Sequence, residues 1–295
     1  MLTLEGPPGP VAALAFSPDG ETLAGGGPAD GVHLWQPPAD AGVLSGHAGG
    51  VQALAFSPDG RYLATGGADG EVRVWDVRAR TLLVTAAPEP YPVAAIAFVG
   101  PGTLLFGIGK RLESVARPAT LFLLDLATRQ VRRFPFDVVN GIRAVAALPD
   151  RRLAAWVTEN KLLRIQDVTR PPGRAVTLRN DCRAIALSAD GRRLAVTSEW
   201  DVLLFNLERW GEDRGTVLGR HQGSVSALAF GPDGRTLYTG GWDKAVRVWD
   251  VDRGRERASY TWPVGNRVTA LAVSPDGLRA AAGGDSGTVA VWDLD

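Results

Sequence analysis

The chain has 295 residues, and 45% of them are hydrophobic, which suffices for a packed core and argues against a disordered chain. Basic and acidic residues number 32 each, so a net charge of zero argues against a surface that binds nucleic acid as a whole. The single cysteine, Cys182, excludes an internal disulfide and a cysteine metal site, and it fits a reducing compartment.

The amino terminus reads MLTLEGPPGPV and lacks the basic region and apolar run of a signal peptide. No apolar segment approaches the roughly 20 residues that a membrane-spanning helix needs. We therefore predict a soluble, cytoplasmic protein that has no membrane partner.

A four-residue turn recurs along the chain and joins two short apolar runs each time. It reads SPDG at residues 17–20, 57–60 and 274–277, SADG at 188–191 and GPDG at 231–234, with degenerate forms after Phe98 and Ala147. Proline suits the second position of a type I turn, and glycine suits the fourth. The pattern predicts seven β-hairpins.

A second motif closes a later strand in each unit and repeats at intervals of 39 to 49 residues. It contains Trp35, Trp75, Trp249 and Trp292 in the clearest units, and reads FLLD, RIQD and LLFN in the others. The runs between the two motifs are rich in Val, Leu, Ala and Thr and are bounded by Gly, Asp and Pro, which indicates strands. No run has apolar residues at helical spacing, so the prediction is an all-β fold.

The best copies of the unit are VQALAFSPDGRYLATGGADGEVRVWD at 51–76 and VSALAFGPDGRTLYTGGWDKAVRVWD at 225–250. The repeat resembles the WD-repeat family of β-propellers, of the bacterial type, whose units of about 40 to 45 residues carry GH near the start and WD near the end. The resemblance implies one seven-bladed propeller of four-stranded antiparallel blades, closed by an amino-terminal strand that completes the last blade. The predicted blades of this single domain, 1–295, are approximately 11–46, 47–88, 89–137, 138–180, 181–220, 221–263, and 264–295 with 1–6.

Two sets of four residues share one spacing. His47 precedes Thr65, Asp69 and Trp75 by 18, 22 and 28 residues, and His221 stands in the same relation to Thr239, Asp243 and Trp249. A His, a hydroxyl and an Asp could form a catalytic triad, but a catalytic site should occur once in a protein and a structural device once in a blade. The resemblance implies a buried hydrogen-bonded tetrad, and we predict no catalytic residue.

The other units depart from the tetrad pattern, since Gly25, Ala282 and Val196 stand where the threonine would be. The three histidines are too scattered for zinc ligation, and no loop has the calcium-binding pattern. We therefore expect neither a metal nor a cofactor.

In the propeller topology, the connections from strand d to strand a and the turns from strand b to strand c lie on one face, which we call the loop face. The predicted partner-binding residues on or near it are Trp242, Trp200, Lys244, Tyr91, Trp262, Arg111, Lys161 and Arg183. Trp242 matches Ala68 in the second unit, so the fold does not require a ring there. Exposed aromatic residues are typical of interface hot spots, whereas Tyr91 and Trp262 could instead pack against neighbouring loops.

Residues 110–193 contain 17 basic and 8 acidic residues, a net charge of +9 that leaves −9 for the rest of the chain. This asymmetry could orient an acidic partner. The interpretation that we favour is that charged outer strands prevent pairing between sheets. Interleaved aromatic residues that would suit nucleic acid do not occur.

The predicted function is a non-catalytic scaffold, a monomeric ring that binds proteins or peptides through the loop face. Relatives with this repeat typically act in larger assemblies, and similar bacterial rings are often attached to kinases or other effectors. One alternative is an enzyme or small-ligand binder that uses the central channel. Another is a weak binder of an anionic polymer through the basic middle blades.

Overall fold

The SPDG and SADG turns each join two antiparallel strands, and their serine and aspartate side chains close the turn. In the second unit the Ser57 hydroxyl donates to Asp59 at 2.5 Å and accepts from the backbone N–H of Tyr62 at 2.9 Å. Gly60 has a φ of 71°, which a residue with a side chain rarely adopts. The serine is fully buried, so the turn is part of the packed structure.

The computed structural model describes residues 1–29, 31–109, 121–134, 141–169, 175–210, 212 and 214–294. Its first strands are β1 (Leu2–Glu5), β2 (Ala13–Phe16), β3 (Leu23–Gly26), β4 (Gly31–Gln36), β5 (Ala39–Ser45), β6 (Val51–Phe56), β7 (Tyr62–Gly67), β8 (Val72–Asp76) and β9 (Thr81–Ala86). The middle strands are β10 (Val93–Gly100), β11 (Thr103–Ile108), β12 (Leu121–Asp125), β13 (Gln130–Phe134), β14 (Ile142–Leu148), β15 (Leu153–Thr158), β16 (Leu162–Asp167), β17 (Ala175–Thr177) and β18 (Ile185–Leu187). The last strands are β19 (Arg193–Ser198), β20 (Asp201–Asn206), β21 (Thr216–Arg220), β22 (Val225–Phe230), β23 (Thr236–Gly241), β24 (Ala245–Asp250), β25 (Arg255–Thr261), β26 (Val268–Val273), β27 (Arg279–Gly284) and β28 (Thr288–Asp293).

These strands form seven four-stranded antiparallel sheets, which confirms the predicted all-β seven-bladed propeller. The blades are β2–β5, β6–β9, β10–β13, β14–β17, β18–β21, β22–β25, and β26–β28 with β1, and the strands of each blade are called a to d from the centre outward. Neighbouring strands a contact each other around the whole ring, from β2 through β26 and back to β2. Helical structure among the described residues is limited to two 3₁₀ turns, Pro149–Arg151 and Leu207–Arg209.

The core lies between adjacent blades, because each sheet is covered on both faces. Every residue of strand β7 after Tyr62 is buried, and the same holds for every residue of β23. Apolar clusters join neighbouring blades, as where Trp75 of the second blade packs with Leu34 of the first. Continuous apolar runs suit strands that are covered on both faces.

The amino-terminal strand β1 closes the ring. Leu2, Thr3, Leu4 and Glu5 pair antiparallel with strand β28, so the last blade has its outer strand. Leu4 is 6% exposed and packs with Val289. Pairing of the two chain ends within one sheet removes the edge that β28 would otherwise expose. No helix among the described residues is long and apolar enough to cross a membrane.

We expect Leu4→Ala to lower the free energy of unfolding by about 2–5 kcal/mol, because the change removes buried apolar contacts and leaves a cavity. Thr3→Ala on the same strand is the matched control, since Thr3 is exposed. Urea unfolding followed by tryptophan fluorescence measures both variants. Equal midpoints for the two variants would show that packing of β1 does not stabilise the ring.

Candidate functional site

The second blade brings together the four residues that share the tetrad spacing. Nδ1 of His47 lies 3.1 Å from each carboxylate oxygen of Asp69, and its Nε2 lies 2.8 Å from Oγ1 of Thr65. Nε1 of Trp75 donates to the same hydroxyl oxygen at 3.0 Å. The backbone N–H of Ala48 donates to Asp69 at 2.9 Å. These bonds join strand b, strand c, their connecting turn and the preceding d–a connection.

The sixth blade repeats this arrangement. Trp249 Nε1 donates to Oγ1 of Thr239 at 2.8 Å, and that oxygen lies 2.8 Å from Nε2 of His221. Nδ1 of His221 lies 2.9 Å and 3.1 Å from the carboxylate oxygens of Asp243. A Cβ at Gly241 would lie 2.6 Å from this Nδ1, so the residue beside the imidazole must be small.

The protonation states follow from the surroundings of each group. Burial acts to raise the pKa of Asp243, but hydrogen bonds from His221 and from the backbone of Gln222 outweigh it and hold this pKa below its usual value. Burial lowers the pKa of His221, against the opposing effect of Asp243. An ionised carboxylate and a neutral imidazole require that Nδ1–H donates to Asp243 and that Nε2 accepts from Thr239.

A hydroxyl that donates to an imidazole resembles an activated nucleophile, but such a nucleophile must also be accessible to a substrate. Thr65 and Thr239 are fully buried, and each oxygen also accepts an indole N–H. A substrate cannot reach either oxygen without unfolding of the blade. The geometry therefore suits a buried network that satisfies polar groups.

Other blades use different contacts at the position of the threonine. Strand register places Gly25 opposite Leu14, as Thr65 lies opposite Leu54. A Cβ at Gly25 would lie 2.7 Å from the Trp35 ring, so the indole itself occupies this space. Register places Ala282 and Val196 at the same position in the seventh and fifth blades. His33 lies in strand β4 and stacks on Trp35 with 5.7 Å between ring centroids.

The predicted loop-face residues fall into two groups. Tyr91 and Trp262 are partly buried and pack on the apolar clusters of neighbouring blades, and the Trp262 ring lies between Tyr260 and Trp292. Trp200 and Trp242 lie at b–c turns and are 48% and 36% exposed. Of these four aromatic residues, Trp200 and Trp242 are therefore the ones that a partner could contact.

The basic candidates also differ from one another. Lys244 is exposed in the turn that follows Trp242. Nζ of Lys161 lies 3.8 Å from a carboxylate oxygen of Asp181 and donates to the carbonyl of Arg179. Arg111 lies outside the described residues.

Arg183 contacts Trp242 together with a residue that the sequence did not single out, Arg267. The guanidinium carbon of Arg183 lies 4.8 Å from the centroid of the Trp242 ring, and that of Arg267 lies 4.2 Å from it. Guanidinium groups over an aromatic ring attract its negative face, and they fix the ring in place. These residues come from the d–a connections before the fifth and seventh blades and from the b–c turn of the sixth.

The seven strands a surround a central channel with a volume of about 260 Å³. Most of its lining is Ala, Leu, Ile and Val, but Arg143, Arg183, Gln52, Ser226 and Thr269 also line it. Within the described part of the chain, no Asp, Glu or His lines this channel. Sequence reasoning missed Arg143, for which the one signal is its place in the repeat: it occupies the position of Gln52, one residue before the recurring Ala of strand a.

The described residues offer neither a metal site nor a reactive thiol. No group of three or more His, Cys, Asp or Glu side chains among them has an arrangement that could hold a metal ion. Burial raises the pKa of the Cys182 thiol to about 12, so this thiol is not a ready nucleophile.

Comparison with known proteins gives partial matches along the chain. The family model described as "WD domain, G-beta repeat" matches residues 1–36, 40–76, 213–250 and 257–293, which together make up half of the chain. The chain is similar to Protein groucho of Drosophila melanogaster, with 31% identity over 126 residues, 40% of this chain and 16% of that protein. It is also similar to a guanine nucleotide-binding protein subunit beta of Oryza sativa subsp. indica, with 28% identity over 148 residues, 44% of this chain and 38% of that protein.

A third relative is a Periodic tryptophan protein 2 homolog of Neurospora crassa, with 40% identity over 50 residues, 16% of this chain and 6% of that protein. The chain thus spans well under two thirds of each of these curated relatives. The matched stretches of the family model fall on the first, second, sixth and seventh blades, where the repeat motifs are clearest.

We expect His221→Ala to lower the free energy of unfolding by about 1–3 kcal/mol, because Thr239 and Asp243 would lose a buried partner. Gln222→Ala is the matched control at an exposed neighbouring position. Chemical unfolding measures the change. Unaltered stability together with loss of an activity would contradict a structural role for this histidine.

We expect acid to destabilise the protein in two stages. The folded state holds the pKa of His221 below its usual value of about 6.5, so the unfolded chain takes up the proton more readily and stability falls as pH drops from about 6.5. The lowered pKa of Asp243 adds a second loss below about pH 4. Unfolding midpoints between pH 8 and pH 3 test this, and His221→Gln should flatten the first stage. An equal slope in this variant would exclude His221 as its source.

Proposed function

The chain belongs to the WD-repeat family of β-propellers, and from this we propose that it is a non-catalytic scaffold that binds proteins or peptides through its loop face. The observation that carries the proposal is the exposure of Trp200 and Trp242 at neighbouring b–c turns. Tryptophan is enriched in interface hot spots because it buries a large area at a small cost in conformational entropy.

The fold does not account for the indole of Trp242. The second blade has the same turn and the same tetrad with Ala68 at this position, so a ring is not needed for folding of the turn. Arg183 and Arg267 lie over the ring and hold it in place before any partner arrives. A fixed side chain loses less conformational entropy on binding than a mobile one.

The relatives support an interaction role. The rice relative is by name a subunit of a guanine nucleotide-binding protein, and a subunit acts by contact with other chains. In this proposal the two tetrads serve stability, since their imidazoles are buried and their hydrogen bonds remain inside the blade. A cytoplasmic location, a bacterial origin and a monomeric ring stay predictions from the sequence.

The channel lining bears on the alternative of an enzyme or small-ligand binder. Such sites depend on convergent polar or titratable groups, and the described lining offers arginines and neutral side chains but no carboxylate or imidazole. The lining therefore favours a site for binding over a site for acid–base catalysis.

We expect the double variant Trp200→Ala/Trp242→Ala to lose the partners that co-purify with the native chain, since each indole would contribute to the centre of the interface. Leu278→Ala is the control, because Leu278 is 61% exposed in an a–b turn on the opposite face. Co-purification followed by mass spectrometry, with unfolding midpoints to verify folding, makes the comparison. Retention of every partner by the double variant would refute binding through the loop face.

A further inference from the structure

In each blade, the residue immediately before the recurring Ala at the start of strand a lies at the mouth of the central channel. In five blades a register shift marks a β-bulge at this residue, between Val51 and Ala53 in the second blade and at the matching places in the third, fourth, sixth and seventh. Bulges commonly redirect a side chain. In blade order these residues are Ala12, Gln52, Ala94, Arg143, Arg183, Ser226 and Thr269, and all seven line the channel.

The backbone does not require a long side chain at this position, since Ala12 and Ala94 occupy it in the first and third blades. The adjacent fourth and fifth blades nevertheless place Arg143 and Arg183 there. The backbone of Arg183 is fixed, because its N–H donates to Oγ1 of the buried Thr197 at 2.9 Å. Two arginines from adjacent blades thus line one half of the channel mouth.

Neither arginine is neutralised by the described part of the chain. Arg143 is partly buried and Arg183 is exposed, and neither guanidinium group forms an ion pair or a hydrogen bond with another described residue. Asp181 and Glu199 line a surface pocket together with Arg183. Asp181 forms an ion pair with Lys161, and Glu199 forms none with Arg183. Partial withdrawal of the Arg143 cation from water without a counter-charge is costly, and a bound carboxylate would offset that cost. The exposed Arg183 can donate charge-assisted hydrogen bonds to the same carboxylate.

The other half of the mouth has no comparable donors. The Ser226 hydroxyl donates to the carbonyl oxygens of Gly240 and Val268, and the Thr269 hydroxyl donates to the carbonyl oxygen of Gly283 at 3.1 Å. Among the described residues that line the mouth, the cationic donors are therefore concentrated on the side of the two arginines, and the donor that the second blade adds, the Gln52 amide, is neutral. An anionic group would be held off-centre, towards the Arg183 guanidinium that lies over Trp242.

We propose that the channel mouth binds an acidic segment of a protein partner, with a carboxylate side chain received by Arg143 and Arg183 and the neighbouring chain packed along Trp242 and Arg267. The proposal rests on the scaffold function proposed above and adds the chemistry of the partner. A cavity of about 260 Å³ accommodates one or two side chains but not a polymer strand. Guanidinium groups already lie over the Trp242 ring, on which a nucleic-acid base would have to stack.

The test uses the full chain and a fluorescein-labelled hexaglutamate peptide, with hexaglutamine and a single-stranded thymidine oligonucleotide as comparison probes. Fluorescence anisotropy at low salt measures the affinity for each probe. Of the three probes, we expect only hexaglutamate to bind. We expect Arg143→Gln and Arg183→Gln each to weaken this binding about tenfold, since each variant loses a charge-assisted hydrogen bond. The affinity should also fall as salt is added.

The double variant Arg192→Gln/Arg209→Gln is the control, because it removes two positive charges, more than either single variant, from exposed positions on the opposite face. Absence of hexaglutamate binding, equal weakening by the control pair, or tighter binding of the oligonucleotide would each overturn the proposal. Co-purification distinguishes a failure of this proposal from a failure of the proposed scaffold function. Loss of partners in Trp200→Ala/Trp242→Ala but not in Arg143→Gln/Arg183→Gln would refute the channel mouth and leave the loop face supported.

Discussion

Packing of each four-stranded sheet against its two neighbours is the interaction on which the ring depends. A single blade cannot cover both of its faces, so each apolar strand b is buried only when blades stand on either side of it. Residues such as Leu63 and Leu237 are fully buried for this reason. Strand β1 matters for the same reason. Its pairing with β28 completes the seventh blade, and a complete seventh blade covers the faces of the first and sixth blades. Stability is therefore shared around the ring, and each blade can vary as long as its two apolar faces persist.

Buried hydrogen bonds within a blade add to this apolar packing, and in some blades apolar side chains take their place. Two blades contain a complete hydrogen-bonded tetrad, whereas the first blade fills the corresponding space with the Trp35 ring against Gly25. The fifth blade has Val196 at the threonine position, and the next residue, Thr197, accepts backbone N–H groups from the start of strand a. Different side chains thus solve one problem, which is to satisfy or exclude polar groups where strand a, strand b and the d–a connection meet.

The sequence predicted the fold well because its signals are local and repeated. The SPDG turn, the strand-closing tryptophans and the match of residues 2–5 to an outer strand each depend on a few neighbouring residues, and the structure confirms the fold that they imply. The loop face was harder to predict. The contact of Arg267 with Trp242 joins two blades and depends on side-chain conformation, which spacing alone does not reveal. Arg143 was missed for a different reason: a β-bulge breaks the alternation of the strand, so the period-2 pattern does not show which way its side chain faces.

The bulge position also explains how one rigid ring can acquire a specific partner. Its backbone is fixed by the surrounding sheet, while its side chain projects into space that no neighbouring blade fills, so residues as different as Ala94 and Arg143 fit the same place. A substitution there changes the charge of the channel mouth without altering the contacts between blades. Because seven equivalent positions, five of them at bulges, surround one opening, two adjacent arginines suffice to make the mouth electrostatically asymmetric. That asymmetry, together with the fixed Trp242 ring beside it, would set both the charge and the orientation of a bound segment.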